Sequence, residues 1–387
     1  MIKGGMTHSL TLDDSGCIWV FGNNNQGECG FDISVPHCLV PTVKEFKKPI
    51  KLIEAGGYHN IVVDEDGDVW GFGLNSNGQL GILSEESKII TNPIQLSLNN
   101  IVEIACGDYH TVCLDSNGNV YSFGSNYMGQ LGNDSLINST KPELVPNCPP
   151  NIRKIECGND YTFFIDKDNI SWACGGNRKG QIPLARDDEM IFSIIKTLFP
   201  PLQLVACGNA HTLALTVDGE LLSVGSNSEG QLGIGSTEHT RIPQKVLLNC
   251  AASIIEIACG KEHSIALDSG GVVWVFGTNL KGELGEPCER STFPRELKKV
   301  RNALAIGCGG HHTIVQTTNG IWSFGYNYGG QLGINSAQYS GNIDFGFYST
   351  ILTIFNVGKT YARKLSEEFI DIIGTSNKIR KVKSARK

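Results

Sequence analysis

The sequence lacks the features that define several protein classes. It has no run of 18 apolar residues that could span a membrane, and its first residues lack the apolar core of a secretory signal. It has only 14 prolines, and its 46 glycines follow no Gly-X-Y period, which excludes a collagen-like chain. The net charge of −7 disfavours general nucleic-acid binding. We therefore expect a cytoplasmic or nuclear protein that is not secreted, with its 13 cysteines as reduced thiols.

What the sequence does contain is an internal repeat. The tetrapeptide Gly-Gln-Leu-Gly occurs at residues 78–81, 129–132, 230–233 and 330–333, with altered copies at 27–30, 180–183 and 282–285. Successive copies are 48 to 52 residues apart, and an asparagine stands three residues before each one. Histidines keep the same phase at His8, His59, His110, His211, His263 and His312, with Tyr161 in the fourth position. Seven phased copies indicate a repeat architecture.

Each repeat has the pattern of short β-strands. An apolar segment precedes a Cys-Gly-type turn, and a second apolar segment begins at the phased histidine. A glycine then marks a tight hairpin turn, with Asn169 replacing it in the fourth repeat, so a positive φ is predicted there. Bulky side chains follow the turn, among them Trp70, Trp274 and Trp322, and their shared phase favours packing over separate ligand sites. The sequence predicts an all-β, single seven-bladed propeller over residues 1–358.

The two ends of the chain suggest how the ring closes. The first repeat begins almost at its turn, and a spare strand-like segment occurs at residues 351–358. We expect this C-terminal strand to complete the first blade and protect exposed strand edges. Deletion of residues from 345 onward is accordingly expected to unfold much more than a tail.

Residues 359–387 differ from the repeats. Leu365, Phe369, Ile372 and Ile373 have helical spacing, which predicts a short amphipathic helix before a basic end. The basic residues include Lys378, Arg380, Lys381 and Lys383. Three interpretations stay open: a packed helix with a solvated end, a tail for nuclear import or nucleic-acid contact, and a helix that docks a partner.

The repeat motif resembles that of the regulator of chromosome condensation family. The matching residues are Cys-Gly-x-x-His-Thr followed by Phe-Gly-x-Asn-x-x-Gly-Gln-Leu-Gly, over about residues 1–335. The resemblance implies a seven-bladed propeller, and its founding member is a chromatin-bound guanine nucleotide exchange factor for the small GTPase Ran. Other members are interaction modules, ubiquitin-ligase parts or light sensors. The light-sensing role is discarded because Tyr58, not tryptophan, stands before His59.

The resemblance also points to candidate binding residues. Exchange activity in the founding member depends on an inserted wedge hairpin and on acidic and histidine residues in the turns of one face. The interval from each Gly-Gln-Leu-Gly to the next Cys-Gly turn stays at 26–29 residues, so no wedge is evident. The corresponding turn residues are Asp108, Tyr109, Asn159, Asp160, Lys261, Glu262 and His311.

The residues show little of the patterning that is typical of catalytic or metal-binding sites. Equivalent histidines and cysteines of different blades are spread around a ring, which disfavours a four-ligand metal site and disulfide pairing. We predict no catalytic residue, no metal and no cofactor. The predicted function is a non-enzymatic, monomeric protein-interaction scaffold that presents the loops of one face to a protein partner. The alternative is guanine nucleotide exchange on a Ran-like small GTPase, and nucleic acid is expected to bind only through the basic tail.

Overall fold

The computed structural model describes residues 1–83, 88–249, 252–335 and 350–352. These residues form 28 β-strands in seven antiparallel four-stranded sheets, and the described ranges contain no helix. Each sheet is one blade of a β-propeller, with its strands in the order of the chain. The all-β seven-bladed prediction is confirmed. The predicted helix and basic tail, residues 359–387, lie outside the described residues.

The strand bounds follow the repeat. Blades 1 to 3 comprise β1 (Ile2–Gly4), β2 (His8–Leu12), β3 (Ile18–Asn23) and β4 (His37–Lys44); β5 (Ile50–Ala55), β6 (His59–Asp64), β7 (Val69–Leu74) and β8 (Ile89–Gln95); β9 (Ile101–Cys106), β10 (His110–Asp115), β11 (Val120–Gly124) and β12 (Ser139–Leu144). Blades 4 and 5 comprise β13 (Ile152–Cys157), β14 (Tyr161–Asp166), β15 (Ser171–Gly176) and β16 (Met190–Lys196); β17 (Leu202–Cys207), β18 (His211–Thr216), β19 (Leu221–Gly225) and β20 (Thr240–Lys245). Blades 6 and 7 comprise β21 (Ile254–Cys259), β22 (His263–Asp268), β23 (Val273–Thr278) and β24 (Arg290–Glu296); β25 (Ala303–Cys308), β26 (His312–Thr317), β27 (Gly320–Gly325) and β28 (Thr350–Leu352).

The hydrophobic core is divided among the blade interfaces. Each of the seven buried clusters combines side chains of two neighbouring blades, as where Leu10 and Val20 of blade 1 meet Val62 and Phe72 of blade 2. The second strand of a blade packs on both sides, so nearly all its residues are buried. A single sheet could not bury such a strand, and the fold therefore depends on its neighbours.

The hairpin turns confirm the prediction for glycine and asparagine. Asn169 has a φ of 65°, in the left-handed region predicted for this turn. An aspartate before the turn accepts a hydrogen bond from the tryptophan after it, as Trp70 Nε1 donates to Asp64 Oδ2 over 3.1 Å. The same bond joins Trp274 to Asp268, while Trp322 packs against the cluster between blades 6 and 7. The tryptophans thus pack at the edges of the core, and Trp19, Trp70, Trp172 and Trp274 each also donate a hydrogen bond across their hairpin.

The predicted mode of ring closure is wrong. The first blade is complete without the C-terminal segment, because β1 supplies its innermost strand through the pairs Ile2↔Thr11, Lys3↔Leu10 and Gly4↔Ser9. Gly4 and Gly5 occupy the position of the Cys-Gly pair in the other repeats, so the three residues of β1 already reach the turn that leads into β2. Strand β28 instead pairs with β27 as the outermost strand of blade 7. Residues 353–358 of the predicted closing strand lie outside the described residues.

Chain direction divides the loops between two faces. The turns between first and second strands and the loops between third and fourth strands lie together on one face, which we call the turn face. Their backbones are bonded to each other, as Leu74 N donates to Tyr58 O over 2.9 Å and Ser125 N to Tyr109 O over 2.8 Å. The hairpins and the connections between blades occupy the opposite face. All the candidate binding residues therefore share the turn face.

Candidate functional site

The phased histidines form a hydrogen-bonded relay between blades. Each histidine Nε2 contacts the side chain that follows the histidine of the next blade. The pairs are His8–Asn60 (2.8 Å), His59–Thr111 (2.9 Å), His110–Thr162 (3.0 Å), His211–Ser264 (2.9 Å), His263–Thr313 (3.0 Å) and His312–Ser9 (2.8 Å). In the fourth blade Tyr161 Oη donates to His211 O over 2.6 Å. The relay runs around the whole ring, including the contact between blades 7 and 1.

The partner hydroxyl determines the histidine tautomer. Thr111 Oγ1 donates its only hydrogen to Gln79 O over 2.8 Å, so it must accept from His59 Nε2–H. Burial lowers the pKa of His59 to about 3, which keeps the ring neutral. The ring lies against Gly56, where an added Cβ would be 2.2 Å from His59 Cε1. The phased histidines thus connect neighbouring blades from buried positions.

The Gly-Gln-Leu-Gly motif shapes the loops of the turn face. Asn126 Oδ1 accepts from Leu131 N over 3.0 Å, and its Nδ2 donates to carbonyl oxygens of the loop that follows. Gln130 Oε1 accepts from Met128 N, which fixes the turn from within. The residue directly after the phased asparagine is left exposed. Tyr127 is 57% exposed, Leu280 72% and Tyr328 59%.

A ring of backbone hydrogen bonds surrounds the mouth of the central channel. The bonds join the turns of neighbouring blades, as Asp108 N donates to Asn159 O over 3.2 Å and Asn159 N to Gly208 O over 3.3 Å. Lys261 N donates in the same way to Gly310 O over 3.0 Å. The side chains at this mouth are therefore presented by a rigid frame rather than by mobile loops.

Blades 2 to 4 present tyrosines and carboxyl groups together. The tyrosine-rich patch consists of Tyr58, Asp108, Tyr109, Tyr127 and Asp160. The rings of Tyr58 and Tyr109 lie 5.6 Å apart between centroids. Burial raises the pKa of Asp108 to about 6, and the nearby Asp160 adds to the rise while Lys261 opposes it. Burial likewise raises the pKa of Asp160, against the positive charge of Arg178. Such a patch combines apolar surface, hydroxyl groups and poorly solvated carboxyl groups.

The remaining predicted residues lie across the mouth on blades 6 and 7. His311 Nδ1 is 3.3 Å from Glu283 Oε1, and its ring packs against Tyr326. The Lys281 ammonium lies 4.8 Å from the centroid of Tyr326, which stacks on Tyr328. Glu262 contributes its backbone carbonyl to Thr278 N over 2.9 Å. The predicted residues thus form two groups on one face. The two groups interact, because the positive charge of Lys261 lowers the pKa of Asp108.

The central channel contains charged side chains in layers. Its cavity of about 570 Å³ is lined by the first strands of all seven blades. Lys3 Nζ pairs with Glu54 Oε2 over 2.7 Å, and Lys154 Nζ pairs with Glu103 Oε1 over 2.6 Å. Burial raises the pKa of Glu156 to about 7, although Lys154 and Lys3 lower it. The phased cysteines, Cys106, Cys157, Cys207, Cys259 and Cys308, line the same channel as free thiols.

Sequence reasoning missed four of the five turn-face tyrosines described above. Tyr58, Tyr127, Tyr326 and Tyr328 were not predicted, nor was Lys281. Tyr127 and Tyr328 carry a usable signal, since each follows a phased asparagine. Within the described ranges no group of three or more histidine, cysteine or acidic side chains is placed to hold a metal ion. The same ranges contain no helix long and apolar enough to cross a bilayer.

These features define the class: a closed seven-bladed propeller built from repeats of about 51 residues, with interlocking histidine bonds. The family model for the regulator of chromosome condensation (RCC1) repeat matches residues 15–63, 66–114, 117–165 and 218–267. A second model of that repeat matches 50–79, 101–130, 152–181, 203–231 and 254–283. The chain belongs to the regulator of chromosome condensation repeat family.

Relatives of different architecture share these repeats. The human regulator of chromosome condensation is 25% identical over 358 residues, 85% of this chain and 72% of that protein. The human probable E3 ubiquitin-protein ligases HERC3 and HERC6 are 31% and 29% identical, over 47% and 83% of this chain. The chain spans only 18% and 28% of the length of those two ligases.

Solved structures share the fold. Human WBSCR16 has a TM-score of 0.75 at 22% identity, over 83% of this chain and 91% of that one. Yeast RCC1 (Prp20), solved bound to Kap60, has a TM-score of 0.76 at 24% identity, over 84% and 81%. Another structure of Prp20p from Saccharomyces cerevisiae was described with its binding properties to Gsp1p and histones.

Proposed function

We propose that the protein is a non-enzymatic interaction scaffold that binds a partner protein through its turn face. The observation that carries this proposal is the tyrosine-rich patch. Tyrosine is enriched at binding hot spots because it provides a large rigid surface with a polar tip. Tyr127 is 57% exposed beside Asp108 and Asp160, whose raised pKa values reflect incomplete solvation. A partner that offers cationic or amide donors would satisfy those carboxyl groups better than water does.

The rigid frame supports this proposal. The turns that carry the patch are tied to the next blade by backbone hydrogen bonds, so binding orders little additional chain. The relay histidines behind them are fully buried and neutral. The chain can therefore vary exposed turn residues without altering the fold, which suits a family whose members bind different proteins.

The test compares proteins captured from a native extract by wild type, by the double variant Tyr109→Ala/Tyr127→Ala and by Val217→Ala. Val217 is 47% exposed on the opposite face and provides a matched control. We expect a partner that wild type and the control retain and that the double variant loses. With that partner purified, calorimetry should show at least about tenfold weaker binding for the double variant. Equal binding by all three proteins would reject the turn face as the interface.

A second candidate function is guanine nucleotide exchange on a Ran-like small GTPase. It is favoured by the grouping of Asp108, Asp160, Lys261 and His311 around one channel mouth, and by the described binding of Prp20p to Gsp1p. Each blade of the described ranges has four strands and no added hairpin, so a wedge is lacking there. The test is release of fluorescent GDP from such a GTPase. Acceleration by micromolar wild type, reduced in Asp108→Asn, would support exchange; no acceleration would end this candidate.

Two further expectations belong with the proposal. We expect a cytoplasmic or nuclear location and a monomeric chain. The basic residues 378–387 lie outside the described residues, and binding of nucleic acid through them predicts a salt-sensitive interaction that their deletion abolishes. Loss of that interaction with unchanged partner binding would separate the tail from the turn face.

A further inference from the structure

Blade 1 differs from the other six at the centre of its Gly-Gln-Leu-Gly motif. The third residue of the motif is a buried branched aliphatic in every other blade: Leu80, Leu131, Ile182, Leu232, Leu284 and Leu332. In blade 1 it is Cys29, which is fully buried and keeps the backbone bond of the motif, Cys29 N to Asn24 Oδ1 over 2.9 Å. The thiol therefore occupies a position that the fold otherwise fills with an apolar side chain.

A second cysteine of blade 1 lies beside the first. Cys38 is the partner of Gly22 across strands β3 and β4, and the Cys29 thiol lies 3.7 Å from Gly22 O. Both cysteines belong to the hydrophobic cluster between blades 1 and 2. Blades 2 to 6 place aliphatic or hydroxyl residues opposite the equivalent glycine: Ile90, Ser139, Ile191, Thr240 and Ser291. Two positions at one point of the fold thus carry thiols in blade 1.

The two thiols have different environments. Burial, together with the neighbouring Cys38, raises the pKa of Cys29 well above its usual range. Hydrogen bonding from Cys29 lowers the pKa of Cys38, against the effect of its burial. Cys38 is also the more accessible, at 7% exposed against 0% for Cys29. The difference in accessibility makes Cys38 the thiol that an external reagent reaches first and Cys29 the buried resolving thiol.

We propose that Cys29 and Cys38 form a reversible intramolecular disulfide by exchange with a small-molecule disulfide such as oxidised glutathione. The Cys38 thiolate attacks one sulfur of the oxidant, so a mixed disulfide forms and one small thiolate leaves. Cys29 then loses its proton and attacks Cys38 Sγ, which releases the second small thiol. Two protein thiols are oxidised, the small disulfide is reduced, and the two protons end on the two small thiols.

The disulfide would act on the turn face. It would close the loop of residues 30–37, part of the blade 1 loop that Asn24 holds through bonds to Phe31 O, Asp32 O and Val35 O. The adjacent Glu28 O accepts from Asn60 Nδ2 over 2.7 Å, and Asn60 belongs to the histidine relay. The site therefore joins a surface loop to the contact between blades 1 and 2. This inference stands independently of the proposed partner binding.

The experiment treats the folded full chain with oxidised glutathione, blocks free thiols with N-ethylmaleimide, and identifies peptides by mass spectrometry without reduction. Matched variants come from the other blades: Cys29→Leu restores the residue of five blades, and Cys38→Ser copies Ser139 and Ser291. Cys17→Ser, outside the pair, is the control. We expect a peptide linked through 29 and 38 in wild type and in the control, and its loss after dithiothreitol. Cys29→Leu should instead retain glutathione on Cys38.

Three results would overturn the proposal. The first is alkylation of both Cys29 and Cys38 in wild type after exposure to the oxidant. The second is a linkage that appears only in urea, which would assign it to the unfolded chain. The third is a disulfide among the channel cysteines in place of the proposed pair.

Discussion

At the scale of the residue, a side-chain hydroxyl accepts from the phased histidine between five of the seven pairs of neighbouring blades, and Asn60 does so between blades 1 and 2. Thr111 Oγ1 accepts from His59 and donates to Gln79 O, so replacement by an apolar residue leaves two buried groups without a partner. We predict that Thr111→Val destabilises the protein by about 1–3 kcal/mol for each group. Thr111→Ser should be nearly neutral, because Ser9 and Ser264 hold the equivalent position. Urea unfolding measures both, and equal stability of the two variants would contradict the relay.

The buried histidines also predict acid sensitivity. Burial lowers the pKa of His8 and His263 to about 4 and of His110 and His211 to about 3, below the value of about 6.5 for an unfolded chain. Between these values the unfolded state binds more protons, so stability falls as pH falls below about 6.5. Each histidine contributes up to about 1.4 kcal/mol per pH unit.

Buried carboxyl groups oppose this trend. Burial raises the pKa of Glu28 and of Glu156 to about 7 and that of Asp108 to about 6, so the folded state binds more protons and is stabilised as pH falls. Six histidines outweigh them, so the urea midpoint should decrease from pH 7 to pH 5. His59→Gln should reduce that dependence by up to about 1.4 kcal/mol per pH unit. An unchanged slope in this variant would show that the ring is already protonated in the folded state.

At the scale of the element, alanine substitutions at two glycines distinguish the cost of backbone strain from the cost of steric overlap. Gly118 has a φ of 86° in a hairpin turn, and an added Cβ would meet nothing within 4 Å. Gly118→Ala should therefore lower the free energy of unfolding only by the strain of a left-handed alanine, about 1–2 kcal/mol. Gly56 lies where a Cβ would be 2.2 Å from His59 Cε1 and 2.7 Å from Gly107 O. Gly56→Ala should be far more damaging, and thermal unfolding that ranks the two variants the other way would contradict this account.

The elements also show how far sequence could predict the molecule. Periodicity gives the strands, the blade number and the left-handed turn at Asn169, because these depend on local geometry. It could not give the closure, since a three-residue strand such as β1 has almost no sequence signal. The family resemblance gave Asp108, Tyr109 and Asp160 as candidate binding residues, and that role stays a prediction. Sequence reasoning missed Tyr58 and Tyr127, because exposure on a shared face is decided by how neighbouring blades pack.

At the scale of the whole molecule, stability depends on every interface because the core is divided among seven of them. Among the described residues, the cluster between blades 7 and 1 is the smallest, with Ile2, Ile314 and Ile321 fully or nearly fully buried. Other contacts reinforce this closure: Ser9 Oγ donates to Gln331 O over 2.9 Å, and Phe21 packs on Gly333.

The closure gives the last prediction, a comparison of two truncations. Strand β1 lines the channel and contacts β2 and β5 on one side and β25 and β26 on the other, whereas β28 pairs at the outer edge of blade 7. Removal of residues 1–5 deletes Ile2, so the buried side chains of Ile314 and Ile321 become exposed to solvent. It also removes the ion pair between Lys3 and Glu54. We expect this deletion to lower the melting temperature more than truncation before Thr350. The point variant Ile2→Ala should reproduce part of the loss, at about 2–5 kcal/mol. If truncation before Thr350 were the more damaging change, the ring would be closed from the C-terminal side, and β1 would be a dispensable strand.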